Sequence, residues 1–217
     1  MPTETFLKLA EEKRNAFIEV ALKEFADHNY DTASINRIIK ELNIARGSVY
    51  QYFTDKLDLW LYLKAYSEQQ KLKHIQSLDR NKYPDFWTYY EDLFIKGITF
   101  DIEQPLCSRF LYRIGYKETS KEVAEYINNW QVKAREIFTV WVENEKINGS
   151  INKNVKTETA VQFILSVSSS IGGLVQNKFS SMIENNLKKE KPLFTESIDE
   201  YKATVKEFIH LLKKALL

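Results

Sequence analysis

The sequence is poor in the residues that build disulfides, metal sites and tight turns. Its 217 residues include one cysteine, Cys107, three histidines, six glycines and four prolines. A single cysteine excludes an internal disulfide, and the three histidines are too scattered to predict a metal site. So few glycines and prolines disfavour disordered and sandwich-type chains. We therefore expect a helix-rich globular chain that holds no metal and no cofactor.

Signals for export and for membrane insertion are weak as well. The first residues lack the basic segment followed by an apolar run that is typical of signal peptides. The longest apolar run, at 160–175, is shorter than a bilayer span and is interrupted by glutamine and serine. We expect a cytoplasmic protein without a membrane partner.

Catalytic patterns are missing too. The sequence has no recognisable nucleophile–base pair, glycine-rich phosphate loop or metal-ligand spacing, so it predicts no catalytic residue, and a helical enzyme or carrier is the least favoured class. The formal net charge of +1 gives no general attraction to nucleic acid. A DNA-binding hypothesis must therefore rest on where individual side chains lie.

Apolar residues recur at helical spacing along almost the whole chain. Ile35, Ile38, Ile39 and Leu42, for example, follow one another at i, i+3, i+4 and i+7. The pattern predicts an all-α fold of about nine helices without strands. These helices lie at about 8–28, 35–42, 45–52, 55–78, 84–102, 105–114 and 157–187, and two more begin near Thr119 and Ser197.

Two short helices joined by a tight turn, at residues 34–52, form a helix-turn-helix pattern. In such a pair the first helix supports the second, which can then enter the major groove of DNA. Ser34 is placed to cap the first helix. Asn43 suits the turn, because asparagine is the non-glycine residue that best tolerates a positive φ.

The segment "RNAFIEVALKEFADHNYDTASINRIIKELNIARGSVYQYFTDKLDLW", residues 14–60, resembles the N-terminal DNA-binding domain of TetR-family transcriptional regulators. It departs from the family pattern at Asn29 and Asn43, which replace glycines, and at Ala45, a poor cap for the recognition helix. The positions that carry the resemblance are Phe25-Ala26, Asn29-Tyr30, Ala33-Ser34, Leu42-Asn43-Ile44, Gly47-Ser48-Val49-Tyr50, Tyr52-Phe53 and Asp55-Lys56.

The resemblance implies a helix-turn-helix domain at 1–54 and a helical ligand-binding and dimerisation domain at 55–217. It also implies a set of DNA-binding residues, of which Arg46 can bind guanine with two hydrogen bonds and Asn36 suits adenine. In this interpretation Ser34 and Asn36 approach from the first helix, Arg46, Gly47 and Ser48 face the bases, and Tyr50, Gln51, Tyr52 and Lys56 hold the phosphates.

The residues of this segment also have structural interpretations that need no DNA. Val49, Phe53 and Tyr30 are expected in the core, and aromatic residues such as Tyr50 and Tyr52 are, taken alone, ordinary half-buried side chains. Arg37 and Lys40 are expected to be solvated or to support their helix. Only the surrounding motif favours DNA contact for the others.

Aromatic residues are dense between residues 55 and 150. In TetR-like regulators this region encloses a ligand cavity, and an aromatic lining would suit a small hydrophobic or aromatic ligand. The alternative is that these side chains fill the core. The residues predicted to line the cavity are Trp87, Tyr90, Phe94, Phe110, Tyr112 and Trp130.

The last two helices carry broad apolar faces, and the first of them also holds serines and the pair Gly172-Gly173. Two glycines within a helix cost roughly 1 kcal/mol each relative to alanine, so close packing should offset them. A two-fold dimer is the family habit, and packing within one chain is the alternative. The predicted interface residues are Phe163, Val167, Ser170, Ile171, Leu174, Phe208 and Leu212.

The resemblance implies a homodimeric, sequence-specific regulator that binds double-stranded DNA at a palindromic operator. The favoured hypothesis is a repressor that a small hydrophobic or aromatic ligand releases from this operator. The alternative is an activator, or a regulator with no small-molecule effector that a protein partner controls.

Overall fold

The computed structural model covers residues 1–217 and describes all side chains except those at 128–131 and 196. The backbone forms ten α-helices, with no strand among the residues described. The predicted all-α class is confirmed, and the additional helix is a short one at the N-terminus. The helices are α1 (Glu4–Leu7), α2 (Glu11–Asp27), α3 (Ile35–Leu42), α4 (Arg46–Tyr52), α5 (Lys56–Ile75), α6 (Phe86–Glu103), α7 (Pro105–Tyr116), α8 (Lys121–Ile147), α9 (Thr157–Lys188) and α10 (Ile198–Leu216), with 3₁₀ turns at Arg80–Lys82 and Thr195–Ser197.

The chain forms two compact units, and neither is continuous in sequence. The first unit contains residues 1–73 and 104–127, and the second contains 74–103 and 128–217. The first unit thus combines the helix-turn-helix with α7, although residues 74–103 of the second unit lie between the two segments of the first. The predicted domain boundary between residues 54 and 55 stays a prediction.

The core of the first unit is aromatic. Val49, Phe53 and Tyr30 are buried, which confirms the prediction for these three residues. Phe110 on α7 lies 6.3 Å from Phe25 on α2, measured between ring centroids. The helix α7 therefore closes the apolar face of α2 that the short helices α3 and α4 leave open.

The turn between α3 and α4 has the predicted conformation. Asn43 adopts φ 51° and ψ 43°, in the left-handed region, and its N–H bonds back to the end of α3. Asn29 does not adopt a positive φ. Its side chain instead accepts a hydrogen bond from Arg113 and donates one to Thr119.

The second unit is built on α6, α9 and α10, whose apolar side chains form one buried cluster with Val142 of α8. The helix α6 begins beside Asp85, whose carboxylate accepts hydrogen bonds from the N–H groups of Trp87 and Thr88 and pairs with Lys213 of α10. Although burial opposes ionisation, these bonds lower the pKa of Asp85. Asp85 thus satisfies the start of α6 and connects it with α10.

The helix α9 matches the helix predicted at 157–187 and extends beyond the apolar run at 160–175. It has 32 residues, and its most apolar 18-residue window has a mean hydropathy of 1.2. The expectation that this segment is too short for a bilayer span is therefore wrong on length and composition, although one such helix is weak evidence for a span. Only 28% of that window is buried, so much of its apolar surface lies uncovered in the described chain.

Candidate nucleic-acid interface

The recognition helix α4 has one buried and one exposed side. Val49 of α4 and Phe53, the residue after α4, are buried in the core at 3% and 1% exposure. Arg46, Gly47, Tyr50 and Gln51 are exposed, and Ser48 and Tyr52 are half-buried. The segment therefore has an anchoring side and a presented side.

The N-terminal end of α4 is open. Ala45 occupies the N-cap position, where alanine offers no side-chain acceptor. A Cβ atom added at Gly47 would meet nothing within 4 Å in the chain. The fold of the chain itself therefore gives no reason for glycine at this position, although glycine weakens a helix relative to alanine.

The helix α3 is held in place by Glu24 of α2, a residue that the sequence did not single out. The buried carboxylate of Glu24 accepts hydrogen bonds from the N–H of Ser34, at 2.7 Å, and from Nε and Nη2 of Arg37, at 3.0 and 2.5 Å. The hydrogen bond with Glu24 raises the pKa of Arg37. Arg37 thus supports the helix, as one of the two alternatives for it predicted.

Ser34 precedes α3, but its side chain makes no capping hydrogen bond within the described chain, so the predicted cap is wrong. At this helix start the carboxylate of Glu24 accepts the backbone N–H of Ser34. Ser34 is half-buried and Asn36 is exposed. Their predicted contacts with DNA stay predictions.

Lys56 at the start of α5 is engaged within the first unit. Its ammonium donates to the carbonyl oxygen of Tyr30 at 2.8 Å and lies 4.4 Å from the centre of the Tyr30 ring. Burial and the nearby Glu122 and Asp55 carboxylates raise the pKa of Tyr30 to about 12, so this ring stays neutral. Because an ammonium has three N–H donors, Lys56 keeps donors for a phosphate as well.

A second group of polar contacts joins the end of α2 and the loop after it to residues 113–120, a connection that the sequence did not predict. Arg113 donates to the carbonyl oxygens of Ala26, at 2.5 Å, and Asp27, at 3.0 Å. Glu118 accepts the N–H of Tyr30 at 2.9 Å. The loop that leads into the helix-turn-helix is therefore fixed by α7 and the residues after it.

The predicted cavity residues fall in both units. In the second unit, Trp87 and Tyr90 belong to the buried cluster and Phe94 packs against it, and the Tyr90 hydroxyl lies 2.6 Å from Oγ of Ser168. Phe110 and Tyr112 are buried in the first unit. The Trp130 side chain lies outside the described residues. The predicted cavity lining stays a prediction. The second unit also has a surface groove of about 530 Å³, lined by Arg135, Glu158, Thr159, Gln162, Phe163 and Ser166.

The predicted interface residues on α9 and α10 differ in exposure. Phe163 and Leu174 are 40% and 43% exposed, large fractions for apolar side chains. Ser170 is exposed, and Val167 and Phe208 are half-buried. Ile171 and Leu212 are buried within the second unit. Three exposed residues and the half-buried Val167 follow one stripe of α9, which we call the α9 stripe: Phe163, Val167, Ser170 and Leu174.

A short helix with a presented polar side, supported by a second helix across an asparagine turn, defines a helix-turn-helix DNA-binding module. Residues 17–63 match the family model described as "Bacterial regulatory proteins, tetR family". Residues 17–63 are therefore a DNA-binding domain of the TetR type.

Individual known proteins resemble the chain over different lengths. The regulator HbdR of Aromatoleum sp. (strain CIB) is 45% identical over 58 residues, which are 26% of this chain and 25% of that protein. The chain thus aligns with only about a quarter of this curated relative. A TetR-family regulator from Chloroflexus aurantiacus is similar over 100% of this chain and 98% of its own, with 29% identity and a TM-score of 0.75. The regulator CifR, solved with a 26-bp operator DNA, shares the fold with a TM-score of 0.62 at 12% identity, over 94% of this chain and 96% of its own.

Proposed function

We propose that the protein is a cytoplasmic, non-enzymatic, homodimeric regulator that recognises a palindromic operator. It would act as a repressor that a small hydrophobic or aromatic ligand releases. The observation that carries the DNA-binding part is the presented side of α4. There Arg46, Gly47 and Gln51 are exposed on a helix whose opposite side is buried. CifR, which shares this fold, binds an operator duplex, and the proposal extends that activity to this chain.

The two-fold dimer rests on α9. The α9 stripe leaves apolar side chains uncovered, and a Cβ atom at Gly173 would meet nothing within 4 Å in the described chain. A second copy packed on the α9 stripe would cover these side chains and give a reason for the glycine. Two recognition helices about 34–36 Å apart would then read two half-sites one helical turn from each other.

The proposed release by a ligand rests on the aromatic residues of α6 in the second unit, Trp87, Tyr90 and Phe94. Such a ligand would lower operator affinity only if it bound the DNA-incompetent conformation more tightly. A thermal-shift screen with aromatic and lipophilic compounds tests this part. A compound that raises the unfolding temperature and weakens operator binding supports it, whereas a broad screen without such a compound favours control by a protein partner.

The DNA-binding proposal is tested by selecting duplexes from a random pool and measuring affinity at several salt concentrations. We expect a palindrome to be enriched, and we expect its affinity to fall steeply with salt because phosphate contacts release counterions. Equal affinity for the selected duplex and for a scrambled one would overturn the proposal.

Arg46→Ala should reduce affinity for the selected operator by about 10- to 100-fold, because a bidentate contact to guanine contributes roughly 1–3 kcal/mol of discrimination. Affinity for scrambled DNA should change much less. Lys13→Ala is the matched control, since it removes the same charge from an exposed position on α2. If both variants lost operator affinity equally, Arg46 would contribute charge and not base recognition.

The substitution Gly47→Ala should change the stability of the protein and its operator affinity in opposite directions. Alanine is favoured over glycine in a helix by about 1 kcal/mol, and the chain leaves room for the added methyl group. We therefore expect a slightly higher unfolding temperature together with weaker operator binding, because the methyl group would stand between the helix and the DNA. Unchanged operator affinity in this variant would show that DNA does not approach Gly47 closely.

A further inference from the structure

The helix α4 is too short to be stable by itself. It has seven residues, and a helix of this length is unstable without packing or caps. At its C-terminal end the last carbonyl groups lack partners within the helix. Only the Val49 carbonyl is reached by the cap N–H, that of Phe53, at 2.9 Å. The carbonyls of Gln51 and Tyr52 need other donors.

Thr3, far away in sequence, supplies both donors. Its backbone N–H donates to the Tyr52 carbonyl at 3.0 Å, and its hydroxyl donates to the Gln51 carbonyl at 2.6 Å. The same hydroxyl oxygen accepts the N–H of Phe6 at 3.4 Å and so caps α1. One threonine therefore closes the end of α4 and begins α1.

Phe6 fixes this contact from the apolar side. It is fully buried, and its ring centroid lies 4.9 Å from that of Phe53 and 5.6 Å from that of Tyr52. The Tyr52 ring also meets Phe17 of α2, at 5.7 Å. The orientation of Tyr52, a predicted phosphate contact, is thus set by Phe6 and Phe17.

We propose that residues 3–9 position the C-terminal half of the recognition helix for DNA binding. We call this segment the N-terminal brace, with Thr3 and Phe6 as its positioning residues. The brace precedes residues 17–63, which match the family model, and it acts on Gln51 and Tyr52 through their backbone and rings. This inference rests on the proposed function.

The test compares Thr3→Val with Thr3→Ser in the full chain. Valine keeps the shape of threonine but removes the hydroxyl, whereas serine keeps the hydroxyl. We expect Thr3→Val to lower affinity for the selected operator about three- to tenfold, the size of one net hydrogen bond. Thr3→Ser should bind within about twofold of the unchanged protein, because it restores that bond.

Two further measurements distinguish positioning from general destabilisation. Hydrogen exchange at the Phe53 amide, the last hydrogen bond of α4, should accelerate in Thr3→Val and not in Thr3→Ser. The unfolding temperature should differ little between the two variants, since Thr3 is only half-buried.

The brace proposal would be overturned if Thr3→Val bound the operator as tightly as the unchanged protein. It would also be overturned if Thr3→Ser lost as much operator affinity as Thr3→Val. If the unchanged protein selected no operator at all, the proposed function would fail by itself. Exchange at Phe53 would still decide the brace in that case, and equal exchange in the two variants would overturn it.

Discussion

Arg113→Met is expected to lower the free energy of unfolding by about 3 kcal/mol. The guanidinium of Arg113 donates to two carbonyl oxygens at the end of α2 and, at 2.7 Å, to the side-chain oxygen of Asn29. Hydrogen bonds to charged groups contribute roughly 1.5–3 kcal/mol each and are not additive, so the sum is set near the value of one or two of them. Methionine keeps the apolar stem, so the loss reports on the hydrogen bonds.

For a chain of this size, that loss corresponds to a fall of about 6–12 °C in the unfolding temperature, measured by calorimetry or circular dichroism. The unfolding temperature of Arg113→Lys should lie between those of the unchanged protein and Arg113→Met, because an ammonium cannot reach three acceptors with the geometry of a guanidinium. Arg135→Met is the matched control, since Arg135 is exposed and its Nη2 donates to Gln162 at 2.7 Å. Equal losses at Arg113 and Arg135 would show that the α2 contacts contribute nothing specific.

Leu174→Glu is expected to convert the proposed dimer into monomers and to reduce operator affinity by about 100-fold. In a two-fold dimer the same residue occurs on both subunits, so one substitution places two carboxylates in the interface. Burial of a charge without a partner is strongly unfavourable. A monomer would also lose the gain from binding two half-sites at once, which typically amounts to a factor of at least 100.

Sedimentation analysis at micromolar concentration measures the first effect, and titration of the selected operator measures the second. Ile147→Glu is the control, because Ile147 is 84% exposed at the end of α8, away from the α9 stripe. It makes the same chemical change without touching the proposed interface. A dimeric Leu174→Glu with full operator affinity would contradict the assignment of the α9 stripe.

Features set by neighbouring residues could be predicted from the sequence. The left-handed turn at Asn43, the buried positions of Val49 and Phe53, and the poor cap at Ala45 all follow from short-range patterns. These signals depend on spacings of one to four residues. Most features of the helix-turn-helix could therefore be predicted from the sequence.

Contacts between distant residues could not be predicted in this way. The Glu24 carboxylate reaches Arg37 and Ser34 only because α2 and α3 pack against each other, and no periodic pattern encodes that packing. Lys56 was expected to hold a phosphate, yet its ammonium also bonds the Tyr30 carbonyl, a backbone atom that carries no sequence signal. The Thr3 contact with Gln51 spans 48 residues and gave no signal either.

The aromatic residues show a different kind of ambiguity. Phe110 and Tyr90 occupy similar helical patterns, but Phe110 packs on Trp60 in the first unit and Tyr90 on Phe86 in the second. Apolar periodicity indicates that a side chain faces inward, and it does not indicate which neighbours it meets. A cavity lining and a filled core therefore look alike in the sequence.

The discontinuity of the first unit has a consequence for the order of folding during synthesis. The Tyr30 N–H finds its acceptor in Glu118, 88 residues later, and the Asp31 carboxylate meets the Ser120 hydroxyl 89 residues later. A ribosome adds residues one after another from the N-terminus, so α2, α3 and α4 emerge long before these partners do. The helices of the helix-turn-helix are synthesised early, but their bonds to Glu118 and Ser120 can form only after the chain has been translated past residue 120. Until then its entry loop lacks the bonds to Glu118 and Ser120, and a nascent chain should bind an operator more weakly than the finished protein.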